Sequence, residues 1–162
     1  MIRILLLDDE PAVLDITSAF LNRQEGFRVR TIDSVKGALM LLSEYPFDVI
    51  VADYELPDQD GISFLKQVRS SQSSIPFIFF TGRGSEDIAI DALNEGADFY
   101  LKKGDGSVQV LTKLARYIQK AVEKRRKQDE IILNEHRYRE LAEQQMEYAQ
   151  YIQALLDAIP AP

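Results

Sequence analysis

The chain has 162 residues, 46% of them apolar, a formal net charge of −7, one histidine and no cysteine. That length suits one domain with an extension, and the missing cysteines exclude a disulfide framework, a thiolate metal site and a cysteine nucleophile. The single histidine excludes a multi-histidine metal site, and the acidic balance argues against a dedicated nucleic-acid binder, because phosphate backbones select basic surfaces.

The first strand is expected over Ile2–Leu7, where an apolar run stops abruptly at Asp8, Asp9 and Glu10. This run is too short for a signal peptide, and no apolar stretch nears the roughly 20 residues that span a bilayer. A soluble cytoplasmic protein is the default expectation. Pro11 suits the first turn of a helix over residues 11–23, with Val13, Leu14, Thr17, Phe20 and Leu21 on one face. A second strand is expected over Arg28–Ile32. Ser34 can then cap a helix carrying Val35, Leu39 and Leu42. The third strand, Val49–Ala52, is followed by a helix over Gly61–Ser70 that brings Ile62, Leu65 and Val68 together. The fourth, Phe77–Phe80, is followed by a helix capped by Ser85, with Ile88, Ala89, Ala92 and Leu93 inward and a stop at the glycine of "NEGAD". The fifth strand is Phe99–Leu101, and a last helix starts near Ser107. The third and fourth strands read as continuous apolar runs, as strands buried on both faces do.

Strict β-α alternation implies a parallel sheet with helices on both faces. Past Val110, Leu111, Leu114, Ile118 and Val122 continue a core-facing stripe, and "KAVEKRRKQDE" is then polar all round. Leu141, Gln145, Tyr148, Ile152, Leu155 and Ile159 step by fours and threes, the spacing of a heptad seam. One long helix, or two nearly continuous ones, is expected, and a polar helix this long is expected to pair with another copy of itself.

In parallel α/β folds, ligands bind outside the carboxyl ends of the strands. Asp8 and Asp9 follow the first strand, Asp53 the third, Thr81 the fourth, and Lys103 lies two residues beyond Leu101. The fold therefore gathers three carboxylates, a hydroxyl and an ammonium at one edge. Carboxylates this close raise one another's pKa unless a cation joins them. Magnesium fits best, since it takes carboxylate oxygens, waters and a phosphoryl oxygen. A carboxylate can attack phosphorus to give an aspartyl phosphate, with metal and lysine stabilising the charge that develops.

"ILLLDDEP", "VIVADYELPDQDGISFL", "PFIFFTG" and "EGADFYLKKG", in this order and at these intervals, resemble the receiver domain of two-component response regulators over residues 1 to 120. The resemblance implies a five-stranded parallel α/β sheet in flavodoxin-like order 2-1-3-4-5. It implies Asp53 as phosphoacceptor and Asp8 and Asp9 as metal-binding acids, Asp9 ahead of Asp8 as a direct ligand. Asp53 itself and the backbone carbonyl of Glu55 complete the Mg2+ set. Thr81 and Lys103 would bind the phosphoryl group, and Tyr100 would be the aromatic switch residue coupled to Thr81. Pro57 and Gly61 match the turn before the third helix. The partner would be a sensor histidine kinase or phosphotransfer protein, with no separate substrate turned over and neither nucleic acid nor membrane bound. The family usually has proline after the lysine, where this chain has Gly104; Lys102 competes with Lys103, and the spacing from "GAD" favours Lys103. Glu55 and Arg83 are expected to pair across the mouth of the site.

The ending "LLDAIPAP" resembles the entry to a PAS domain, so residues 121–162 are expected to be a coiled-coil-like linker to a PAS or other output domain. His136 and the run "KRRK" are expected on solvated helix faces. The competing function is a receiver that takes no phosphate and acts only through its surfaces. A small-molecule aspartyl-phosphate hydrolase is disfavoured, because it would carry D-x-D after the first strand and position 10 is Glu10. A flavin site is disfavoured, because "DDEPAV" would repel phosphate.

Overall fold

A computed structural model describes residues 1–71 and 73–162. Five strands, β1 (Ile2–Leu7), β2 (Phe27–Ile32), β3 (Val49–Ala52), β4 (Phe77–Thr81) and β5 (Phe99–Lys102), alternate with five helices. The helices are α1 (Pro11–Asn22), α2 (Val35–Glu44), α3 (Gly61–Ser70), α4 (Glu86–Asn94) and α5 (Val108–Asp157). All strand pairs are parallel, in the order β2-β1-β3-β4-β5.

The pleat explains the continuous apolar runs. Ile4 and Leu6 of β1 pack with Val49, Val51, Ile78 and Phe80 on one face of the sheet, under Leu21 of α1 and Leu111, Leu114 and Ile118 of α5. Leu5 and Leu7 pack with Ile50, Ala52, Phe77 and Phe79 on the other, under Val35 and Ala38 of α2 and Phe64, Leu65 and Val68 of α3. Alternate residues thus serve opposite apolar layers, so the inner stretches Ile4–Leu7, Val49–Ala52 and Phe77–Phe80 are apolar throughout.

Three helix starts carry a side-chain cap. Ser34 Oγ accepts from Gly37 N–H at 3.1 Å and Ser85 Oγ from Ile88 N–H at 3.4 Å, as expected of capping residues. Asp60 Oδ1 accepts from Ser63 N–H at 2.7 Å at the start of α3. The carboxylate of Asp58, in the β3–α3 loop, accepts from Val35 N–H and Lys36 N–H at 3.2 and 3.0 Å, tying that loop to the start of α2.

Two leucines of the apolar stripes face outward, and for Leu93 this differs from expectation. Leu39 is 38% exposed and Leu93 is 47% exposed. On α2 the fully buried residue is Ala38, one position and about 100° round the helix from Leu39. On α4 the buried residue is Ala92, again the neighbour of the exposed leucine. In both, a small side chain lets the helix approach the sheet, and the leucine beside it is turned outward. Strand edges also move: β2 starts at Phe27, which pairs with Ile2, and Thr81 is the last residue of β4, paired with Lys102.

Gly61 fixes the approach of α3. Its N–H donates to Tyr54 O at 2.6 Å. A Cβ here would lie 2.6 Å from Phe79 Cε1 and 2.7 Å from Asp53 O, too close for any side chain. Gly61→Ala is therefore expected to cost about 1–3 kcal/mol in urea unfolding, the usual price of overpacking. An unchanged midpoint would show that α3 can move away freely.

The chain divides into two compact units, Met1–Arg125 and Arg126–Pro162. In the first, the buried residues of α5 run from Leu111 to Val122. In the second, every residue is exposed. The helix is continuous through Asp157, so Ile159, placed on the seam by its spacing, lies past the helix end. No described helix is long and apolar enough to cross a membrane.

Candidate functional site

The polar and charged residues buried in the described structure are Asp8, Thr17, Asp53, Thr81 and Lys103. All but Thr17 sit at the carboxyl edge of the sheet. The strand ladder holds them there, because its hydrogen bonds continue past the strand ends. Asp8 N–H donates to Ile32 O at 3.2 Å, Asp53 N–H to Leu7 O at 2.9 Å, and Lys103 N–H to Thr81 O at 2.9 Å.

Lys103 Nζ lies 2.6 Å from Asp8 Oδ2 and 2.9 Å from Asp53 Oδ2, with Glu10 Oε1 at 3.6 Å. Lys102, the competing candidate, is exposed. Burial pulls the Lys103 ammonium toward its neutral form, but hydrogen bonds and charge from Asp8 and Asp53 outweigh it, and its pKa rises. Asp8 moves up for the opposite balance. Burial is its largest influence, and the Lys103 ammonium and the Glu10 N–H at 2.9 Å pull back only part of the shift. Two buried carboxylates thus share one buried ammonium, which leaves local negative charge for a further cation.

The carboxylates that come closest together are not quite the expected set. One oxygen from each of Asp8, Glu10 and Asp53 falls within 4.8 Å of the others. Asp9 is exposed and lines the adjoining cleft, about 580 Å³, together with Glu10, Asp53, Glu55, Thr81 and Arg83. Glu10, exposed like Asp9, thus joins the candidate carboxylates at this edge beside the expected Asp8, Asp9 and Asp53. The signal was present in the run of three acids, but the turn that brings Glu10 round is made by Asp8 Oδ1 accepting from Glu10 N–H. All these donors are hard oxygens on a half-open cleft, which fits a divalent cation of the magnesium or calcium kind.

Thr81 Oγ1 donates to Arg83 O at 2.8 Å, and the Tyr100 hydroxyl donates to the same carbonyl at 3.2 Å. Tyr100 does not line the acidic cleft, but its hydroxyl and that of Thr81 share one acceptor. Burial, then the negative charge of Asp53, push the Tyr100 phenol pKa up, so it stays a donor. Arg83 Nη1 and Glu55 Oε2 stand 3.8 Å apart at the rim, both exposed. No described peptide bond is cis, and Gly104 takes φ +56°, a conformation glycine adopts without penalty.

A family model described as the response regulator receiver domain matches residues 4–116. The chain belongs to this family. It carries a receiver domain of two-component systems. It is 37% identical over 103 residues to the response regulator SaeR of Staphylococcus aureus strain USA300, an alignment covering 64% of this chain and 44% of that protein. The matched region is thus less than half of the relative's length. Among solved structures, the receiver resembles a CheY-like response regulator receiver domain protein from Methanospirillum hungatei JF-1, with a TM-score of 0.71 and 27% identity over 79% of this chain and 98% of the other. It also resembles a response regulator receiver domain protein from Clostridium thermocellum, with a TM-score of 0.70 and 28% identity over 78% and 98%.

Proposed function

We propose that residues 1–120 act as a phosphorylation-controlled switch whose acceptor is Asp53, and that residues 121–162 carry the change onward as a helical linker. The observation that carries this reading is the bridging of two buried carboxylates by Lys103, beside a cleft open to a phosphoryl donor. The donor is a phosphohistidine on a sensor histidine kinase or phosphotransfer protein. An Asp53 carboxylate oxygen forms the new O–P bond as the N–P bond to the donor imidazole breaks, and the leaving nitrogen keeps the bonding pair. Asp8, Asp9, Glu10, Asp53 and the Glu55 carbonyl would hold Mg2+. When bound, Mg2+ supplies positive charge to the phosphoryl oxygens.

The other groups follow from where they stand. Lys103, already 2.9 Å from Asp53, keeps a donor on the acceptor carboxylate and can reach a phosphoryl oxygen attached to it. Thr81 has to give up Arg83 O to donate to that phosphoryl group. The carbonyl shared with Tyr100 then loses one of its two donors, which couples acceptor chemistry to Tyr100 and the face made by α4, β5 and α5. The chain is expected to form a homodimer through the later part of α5.

Borohydride reduction tests the acceptor, because it converts an aspartyl phosphate to homoserine. After exposure to acetyl phosphate and Mg2+, peptide mass mapping should find homoserine at position 53 alone. Homoserine at Asp8 or Asp9 instead would refute the assignment.

The Glu55–Arg83 pair stands at the rim of the cleft, and it is proposed to slow entry of the hydrolytic water and so lengthen the phosphorylated lifetime. Both side chains are exposed, so the pair itself adds little stability. Glu55→Ala with Arg83→Ala is expected to speed loss of the phosphoryl group several-fold while the unfolding midpoint stays put. An unchanged dephosphorylation rate would remove the pair from the mechanism.

A further inference from the structure

We infer that Ile131–Leu155 forms a parallel, in-register two-stranded coiled coil with a second copy of this chain, and that Asn134 and Gln145 fix its register. This rests on the homodimer proposed above and specifies its arrangement.

In the unit Arg126–Pro162, the seam set by Leu141, Gln145, Tyr148, Ile152 and Leu155 extends backward without a break to Tyr138, Asn134 and Ile131. It covers more than three heptads of unbroken helix. Ile131, Tyr138, Leu141, Tyr148, Ile152 and Leu155 are between 36% and 74% exposed, which is costly for so many large apolar side chains on one stripe. Polar pairing lies on the outer positions: His136 Nδ1 is 3.3 Å from Glu140 Oε1, and Gln153 Nε2 donates to Asp157 Oδ1 at 2.9 Å. Ile132 and Leu133 lie off the seam.

The two polar layers discriminate between arrangements. In a parallel, in-register pair, Asn134 meets the partner's Asn134 and Gln145 meets the partner's Gln145. Each amide offers both donor and acceptor, so each layer satisfies itself. An antiparallel pair with the greatest overlap puts Asn134 against the partner's Ile152 and Gln145 against the partner's Leu141, leaving four buried amides without polar partners. Sliding the antiparallel pair one heptad lets Asn134 meet Gln145, but then Ile152 and Leu155 face the partner's Lys127 and Lys124. The parallel pair keeps these aliphatic residues against their own copies. It has one flaw, Glu130 beside the partner's Glu135, but an exposed like-charge pair weighs less than buried aliphatic layers. Upstream, Lys124 and Lys127 would meet their own copies, so the coil begins at Ile131. Polar residues on a seam specify register at a cost in stability.

The absence of native cysteine makes this directly testable in the full chain. Leu155→Cys and Tyr138→Cys, each alone under mild oxidation, should give disulfide-linked dimers. Failure of both, with efficient linking when Leu155→Cys is mixed with Ile131→Cys or Lys124→Cys, would establish an antiparallel pair and overturn the inference. A monomer by analytical ultracentrifugation, with or without acetyl phosphate, would overturn the dimer itself. Asn134→Leu with Gln145→Leu should tighten dimerisation about tenfold or more and permit mixed-register cross-links; weaker dimerisation would remove these residues from the role. Phosphoryl uptake, read on the same samples by intact mass, reports on the receiver separately, so failure of the coil and failure of the switch are distinguishable.

Discussion

Lys103→Met is expected to destabilise the metal-free protein by about 3–5 kcal/mol, the usual cost of removing one partner from a buried ionic cluster. The methionine fills much of the same volume, so the loss is electrostatic. Asp8 and Asp53 are left buried with Glu10 beside them and no cation among them. Added Mg2+ should recover more stability in the variant than in the wild type, because it replaces a larger missing charge. The pH dependence should change too. Lys103 has a folded pKa above its ordinary 10.5, so the stability it contributes is complete below 10.5 and is lost as pH rises through the folded value. The variant should lack that alkaline loss. Urea unfolding at neutral and alkaline pH, with and without Mg2+, measures all three effects. A variant as stable as the wild type without metal would mean that the carboxylates are better solvated than their burial implies.

Asp53→Asn should act in the opposite direction on stability while abolishing the chemistry. It removes one of two buried carboxylates that compete for one ammonium, and Asp8 keeps its 2.6 Å contact with Lys103. The Asp53 charge is one of the influences that raise the Asp8 pKa, so its loss also relieves Asp8. The metal-free variant should gain on the order of 1 kcal/mol, bind Mg2+ more weakly, and accept no phosphoryl group. An acid that lowers stability where it stands is retained for what it does, a pattern common to functional sites. If Asp53→Asn were instead strongly destabilising, Asp53 would be a structural partner of Lys103, and its placement at the strand end would need another explanation.

Much of the site was legible because the sheet marks it. Apolar runs buried on both faces leave no room for charge, so the first charged residue after such a run lies at the carboxyl edge, and Asp8 and Asp53 follow from that alone. The choice between Lys102 and Lys103 was also legible by spacing, and the pleat gives its reason: Lys102 still pairs with Thr81 in the ladder and faces solvent, and the next residue turns in. What was not legible depended on turns and close approaches. Glu10 comes round to Asp8 and Asp53 in a turn where its own N–H bonds back to Asp8, a turn that residue identity does not announce. The link between Thr81 and Tyr100 runs through a backbone carbonyl at Arg83, which side-chain identity does not announce. Leu93 matches the same amphipathic stripe as Ala92, but α4 is set with the expected Ala92 against the sheet and Leu93 outward, and on α2 Ala38 rather than Leu39 is buried.

Asp53 is proposed to accept a phosphoryl group with help from a divalent cation. The most direct test is the intact mass of the wild type and of Asp53→Asn after incubation with acetyl phosphate, each with Mg2+ and with chelator. One added phosphoryl group is expected in the wild type with Mg2+, little with chelator, and none in the variant. Addition to both proteins would place the acceptor elsewhere, and addition to neither, with the fold intact by circular dichroism, would contradict the switch and leave a receiver acting through its surfaces alone.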